Sequence, residues 1–169
     1  MDEAYFEFCG VTVLPWIRRY PNLIVSRTFS KAPALAGLRL GCLFACREII
    51  AALKRADSPY PVNVAALAAA EAVIRDRRSV RAYAGMILKS RRLLAKGLER
   101  LNVRVFPSAA NFVLADFGPG AKRLVRKLER RGILLRDRSA EFGREGFVRV
   151  TVGTPAQTRR LLRAIEVSR

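Results

Sequence analysis

Leu23-Ile24-Val25-Ser26-Arg27-Thr28-Phe29-Ser30-Lys31-Ala32-Pro33-Ala34-Leu35-Ala36-Gly37-Leu38-Arg39-Leu40-Gly41 is the stretch from which the rest of the chain is read. It opens on Leu23–Ser26, a short β-branched apolar run that predicts a buried strand after the turn signal Tyr20-Pro21-Asn22. An irregular segment follows, polar at Thr28, Ser30 and Lys31 and punctuated by Pro33 and Gly37. Leu38–Ala45 is apolar apart from Arg39 and predicts a second strand. A charge between Leu38 and Leu40 in such a strand is costly unless it is paired. Read from these residues alone, Lys31 is either a surface lysine in a loop or a lysine held beside an anion site made by Thr28, Ser30 and Arg39. Two hydroxyls and a guanidinium suit a phosphate dianion.

Outward from this stretch the spacing predicts helices over 48–56, 62–74 and 80–101, with Ser58-Pro59-Tyr60-Pro61 breaking the first from the second. Strands are expected at 103–106, 111–117, 133–135 and 147–152, and a helix at 121–131 stopped by Gly132. Thr154-Pro155 opens a last helix, with Thr154 at the N-cap and Pro155 in the first turn. The second part thus reads ββαββα, an α+β layer, and the first holds two strands and two helices. The boundary is placed between residues 74 and 75.

Composition narrows the chemistry. The chain has 169 residues, 51% hydrophobic and 27% charged, which is a folding composition. No apolar run reaches the ~18–20 residues of a membrane helix, and the N-terminus shows no secretory pattern. Cys9, Cys42 and Cys46 are an odd set without metal-ligand spacing, and Cys42 and Cys46 are expected to behave as small buried hydrophobes in a reducing cytoplasm. With no histidine, Ser-His-Asp and Cys-His catalysis and His-based metal sites are excluded, leaving Lys, Tyr, Asp, Glu or Cys for proton transfer. The net charge of +18 raises nucleic-acid binding as a class. The excess is mostly Arg, spread along the chain among apolar residues as in Arg91-Arg92-Leu93-Leu94, and so reads as solvated helix faces with no nucleic-acid and no membrane partner.

Ser30-Lys31-Ala32 followed by Leu35–Gly41 resembles the segment around the cofactor lysine of the class I/II pyridoxal-phosphate aminotransferases. Asp2-Glu3-Ala4-Tyr5 resembles the family's motif upstream of that lysine. Pro59–Val62, Ala110-Asn111-Phe112, Ile133–Asp137 and Val148–Pro155 resemble successive landmarks of its histidinol-phosphate aminotransferase branch. They occur in the family's order and span essentially the whole chain.

The resemblance implies an α/β fold: the C-terminal part of a pyridoxal-phosphate-dependent transferase large domain (1–74), then a small α+β domain (75–169). It implies that Lys31 carries pyridoxal 5'-phosphate and moves the proton at the substrate α-carbon. Asp2 would pair with the ring nitrogen, and Tyr5 would bond the phenolic oxygen. Ser30 and Arg39, with Thr28, would hold the phosphate. Arg149 would bind a substrate anion, with Arg136 as a second candidate. Without the family, Asp2 and Tyr5 sit at a chain end where fraying is normal, and Arg149 in its alternating strand could face water. Pro33 departs from the family, where an aromatic residue is usual.

The implied reaction passes an amino group between glutamate and imidazole-acetol phosphate, in a cytoplasmic homodimer of histidine biosynthesis acting on amino-acid and phosphorylated amine substrates. Threonine-phosphate decarboxylase or another amino-acid aminotransferase is the nearest rival, and a non-catalytic Arg-rich binding module the second. The family's enzymes are considerably longer, so the expectation is a C-terminal half that binds the cofactor weakly or not at all alone. The helix N-terminus that cradles the phosphate and most of the dimer interface would lie in the other half.

Overall fold

The structure, a computed structural model, describes residues 1–168. It is α/β and forms two compact units, Met1–Ala84 and Gly85–Arg169. The 74/75 boundary of the sequence reading falls before the long helix α4, whereas the units meet within that helix.

In the first unit the chain starts extended beside strand β1 (Val25–Thr28). Ser26 N donates to Met1 O at 3.0 Å and Glu3 N to Ser26 O at 2.9 Å, a parallel bridge between Asp2 and Ser26. One helical turn, α1 (Phe6–Cys9), buries Phe8 and ends on Gly10 at φ +70°. β1 pairs antiparallel with β2 (Gly41–Phe44), Val25 facing Phe44 and Thr28 facing Gly41. The strands lie close there: a Cβ on Gly41 would sit 3.0 Å from Arg27 O. Both strands are shorter than expected. β1 begins two residues late, and β2 begins only after a single-turn helix at Ala36–Leu38. Arg39 is therefore not in a strand. It ends that turn in the left-handed region at φ +57°, exposed to water, and donates from Nη1 to Ala36 O at 2.9 Å. The cost expected of a charge held between two buried leucines does not arise.

Helix α2 (Arg47–Ala56) precedes α3 (Val64–Arg75). The Asn63 side chain caps α3 by accepting from Ala66 N at 2.8 Å. Ala66 and Ala70, one turn apart on one face, form a small core with Leu40, against which Phe29, Leu38 and Val62 pack. Alanine at both positions lets the helix backbone approach the loop that carries Lys31. Ala34 in that loop adopts φ +61°, a conformation unfavourable for a residue with a Cβ. All three cysteines are free thiols. Cys42 and Cys46 are half-buried and not fully buried as expected, and Cys46 donates to Pro21 O at 3.1 Å. Burial pushes the Cys42 thiol pKa up, against the pull of nearby Arg27.

Helix α4 (Arg77–Arg100) brings Ile87, Leu94 and Leu98 into the core of the second unit. The sheet of that unit runs β3 (Arg104–Val105), β4 (Phe112–Asp116), β6 (Phe147–Thr151), β5 (Arg136–Asp137), antiparallel throughout. Val113 and Ala115 of β4 and Val148 and Val150 of β6 are buried, the alternation that a one-sided sheet requires. Leu128 of α5 (Ala121–Glu129) and Ile165 of α6 (Pro155–Glu166) are buried too. The order ββαββα is as expected. The strand expected at Ile133–Leu135 lies further on, at Arg136–Asp137. Gly132, at φ +69°, and the bond from Ile133 N to Leu128 O still belong to the end of α5, and Leu134 is left exposed. Thr154 and Gln157 form a reciprocal capping box at the start of α6.

Candidate active site

β1 ends at Thr28, and a hydroxyl turn follows. Thr28 Oγ1 accepts from Ser30 N at 3.0 Å and donates to Leu40 O at 3.4 Å. Backbone bonds from Phe29 N to Leu40 O, Leu35 N to Phe29 O and Ala34 N to Lys31 O fix the loop from both sides. The loop delivers Lys31 half-buried, with Nζ 5.5 Å from the centre of the Tyr5 ring. A cation at that distance from an aromatic face gains only about 0.5–1 kcal/mol, so the amine is oriented without being locked. Among the described residues Nζ makes no hydrogen bond or ion pair, and neither does the Ser30 hydroxyl.

Asp2 is exposed at the paired N-terminal segment. Its Oδ1 accepts from Ala4 N at 2.9 Å and from Ser26 Oγ at 3.3 Å. Oδ2 takes no hydrogen bond among the described residues. The sequence-predicted group Asp2, Tyr5, Thr28, Ser30, Lys31 and Arg39 thus lies wholly in the first unit. Thr28 uses its hydroxyl to build the turn, and Arg39 points its bonded nitrogen back at its own loop.

Glu3 was not singled out by the sequence reading, and it is the most heavily bonded group here. Its carboxylate is buried and accepts from Thr12 Oγ1, from Val13 N at 2.7 Å, and from Arg27 Nε and Nη2 at 3.0 and 2.9 Å. Arg27 also donates to Thr12 Oγ1 and lies 3.7 Å from the centre of the Phe6 ring. Burial pushes the Glu3 pKa up, but the Val13 amide, the Thr12 hydroxyl and Arg27 outweigh it and hold the carboxyl below its usual range. The network ties residues 3, 12 and 27 together and so sets the register between Asp2 and the strand leading to Lys31. The signal that could have found it is the rule applied to Arg39, turned on Arg27: a guanidinium inside a short strand needs a carboxylate.

The remaining two predicted residues lie in the second unit. Arg149 of β6 faces Arg136 of β5 directly across the ladder. Like charges placed opposite each other destabilise a strand pair. The Arg149 guanidinium stands 5.2 Å from the centre of the Phe112 ring, and its Nε is buried without a hydrogen-bond partner among the described residues. Arg136 is exposed. Two guanidinium groups, one with an unused buried donor, make a receptor for an anion.

The fold and this lysine-centred group define a class: the chain belongs to the family of class I and II aminotransferases, whose model matches residues 1–165. Within that family it is 38% identical over 165 residues to histidinol-phosphate aminotransferase 1 of Carboxydothermus hydrogenoformans, a match covering 98% of this chain and 47% of that relative. Among solved structures it is similar to the histidinol-phosphate aminotransferase from Clostridium acetobutylicum (TM-score 0.88, 28% identity, 99% of this chain and 53% of that one). It is equally similar to the Sinorhizobium meliloti enzyme in complex with pyridoxal-5'-phosphate (TM-score 0.87, 27% identity, 99% and 47%). The chain spans about half the length of the curated relatives it matches. Among the described residues, no helix is long and apolar enough to cross a membrane.

Proposed function

We propose that this chain is the part of a pyridoxal-phosphate-dependent histidinol-phosphate aminotransferase that bears the cofactor lysine. The reaction exchanges an amino group between glutamate and imidazole-acetol phosphate, within histidine biosynthesis. The observation that carries the reading is the uncommitted Lys31 amine over the Tyr5 ring, on a loop fixed at both ends. The donor set fits the cofactor: an amine for its aldehyde, a carboxylate with one open oxygen for a protonated ring nitrogen, a phenol for its ring oxygen, and a free hydroxyl with a guanidinium for its phosphate.

When bound, pyridoxal phosphate supplies an electron sink for charge developing on the substrate α-carbon. Lys31 holds the cofactor and then takes and returns the proton at that carbon. Asp2 keeps its ionised oxygen against the ring nitrogen, held in place by Ala4 N and Ser26 Oγ. Tyr5 orients the ring oxygen and gives the Lys31 amine an apolar face to rest on. Ser30 and Arg39 take the phosphate, with Thr28 shaping the turn that presents Ser30. Arg149 and Arg136 bind a substrate anion, which relieves their mutual repulsion and engages the unpaired Nε. The reading brings with it a cytoplasmic setting, a homodimer, and amino-acid and phosphorylated amine substrates.

The test is trapping. The protein is incubated with pyridoxal phosphate, reduced with borohydride and digested. A pyridoxyl group concentrated on Lys31, absent from Lys31→Ala, is expected. Labelling spread evenly over Lys54, Lys89, Lys96 and Lys122 would refute the site. Amino transfer from glutamate to imidazole-acetol phosphate, measured against activity on threonine phosphate, tests the substrate.

A further inference from the structure

Apart from the two predicted arginines, the second unit carries a cleft of about 310 Å³ at the start of α5, lined by Gly120, Ala121, Arg123, Lys127 and Ser168 among others. None of Lys31, Arg136 or Arg149 lines it. Gly118-Pro119-Gly120 leads into the helix and leaves glycine at the N-cap, at φ +89° and with no side-chain oxygen to cap the first turn. Ala121 N reaches back to Gly118 O at 3.3 Å, and Lys122 N donates to Glu145 Oε1 at 2.9 Å. The next amide, Arg123 N, has no partner among the described residues. Free amides at a helix N-terminus attract anions.

A second observation points the same way. Ser168 is only 6% exposed, and its Oγ is buried without a hydrogen-bond partner among the described residues. A buried hydroxyl left unpaired costs free energy and calls for a ligand or an explanation. Lys127 Nζ donates to the Ser168 carbonyl at 2.8 Å, which places its charge at the same end of the cleft. The Arg123 guanidinium makes no ion pair among the described residues. No carboxylate lines the cleft. Beside it lies a wider basin of about 570 Å³ that shares Arg123 and Lys127 and adds Lys122, Arg126 and Arg130, with Glu145 its one acidic lining residue. Such a basin raises the local concentration of anions.

We propose that this cleft binds a small phosphate dianion, either inorganic phosphate or the phosphate of a monoester. Its donors are the Arg123 amide and guanidinium, the Lys127 ammonium and the Ser168 hydroxyl. A dianion satisfies all of them at once, which a singly charged carboxylate does not. The cleft lies at the small end of the ligand-site range, which suits one phosphate group and a short substituent. The buried hydroxyl lies inside the cleft, so the donor set is one for a compact ligand and not for an extended backbone crossing the surface. This inference does not depend on the proposed aminotransferase activity.

The test uses the full chain, isotopically labelled, with backbone amide shifts followed by NMR at constant ionic strength. Inorganic phosphate and glycerol phosphate are titrated separately against a chloride control. Saturable shifts at the Arg123 and Ser168 amides are expected with phosphate and not with chloride, and the tighter of the two phosphates identifies the source. Arg123→Gln should weaken binding about tenfold, the size expected for losing a charge-assisted hydrogen bond. Ser168→Ala should weaken it several-fold while raising the melting temperature of the phosphate-free chain, because it removes an unpaired hydroxyl. Shifts that do not saturate, or that match the chloride control, overturn the proposal. So does unchanged affinity in Arg123→Gln, or a fall in melting temperature in Ser168→Ala.

Discussion

Glu3→Gln isolates the network beneath the Lys31 loop. Glutamine keeps one carbonyl oxygen, enough for Val13 N and the Thr12 hydroxyl. Its amide nitrogen replaces the oxygen that accepts from Arg27 Nε and Nη2, so donor meets donor at two contacts of 3.0 and 2.9 Å. Each hydrogen bond to a charged group contributes about 1.5–3 kcal/mol. The Arg27 side chain is 21% exposed against 5% for Glu3, so water recovers part of the loss on the arginine side. The expected destabilisation is about 2–4 kcal/mol, near the range for breaking a buried pair from one side. Urea unfolding followed through Trp16, the only tryptophan of the chain, reads the first unit directly. The pH dependence sharpens the test. The Glu3 carboxyl titrates below its usual range in the folded chain. Its contribution is therefore complete above the unfolded value and is lost as pH falls through the folded one. The gap between wild type and Glu3→Gln should be full at neutral pH and close in acid. A neutral-pH gap under about 0.5 kcal/mol, the scale of an ordinary surface substitution, or a gap that persists in acid, would refute the reasoning.

Other substitutions probe single features. Thr154→Ala removes the capping box of α6 and should cost about 1 kcal/mol in urea unfolding, with Thr154→Ser restoring most of it. Ser90→Ala should stabilise the second unit by about 1 kcal/mol, because Ser90 is 1% exposed and its hydroxyl has no partner among the described residues. Ala34→Gly should raise stability by about 0.5–1 kcal/mol, the left-handed penalty at φ +61° less the entropy that glycine loses on folding; a loss in thermal melting would contradict it.

Much of this was legible in the sequence because it rests on period and punctuation. Thr154-Pro155, the apolar face of α4 and the alternation in β6 each follow from local chemistry, and the element order of the second unit follows from them. What depends on tertiary geometry was not legible. Arg39 has a strand-like neighbourhood in sequence, but the loop turns left-handed there and releases it to water. Ile133–Leu135 has the composition of a strand, yet the chain is still leaving α5 and meets β6 only at Arg136. In the site, Lys31, Tyr5 and Asp2 were found through motif order. The partnership of Glu3 with Thr12 and Arg27 was missed, since residues 3, 12 and 27 share no periodicity and meet only once the N-terminal segment lies along β1. The unpaired hydroxyl of Ser168 is likewise a property of packing that no composition reveals.

The alanines of α3 have a consequence for how such a chain can change over generations. Ala66 is fully buried and Ala70 nearly so, and both press on Leu40 beneath the reactive loop. Neither carries a group capable of chemistry, yet a bulkier side chain at either would push the helix outward and move the loop with it. Drift at these two positions is thus constrained as tightly as drift near Lys31 itself. A variant that altered the reactivity of the lysine could first arise there, as a change of size in a helix that touches no ligand.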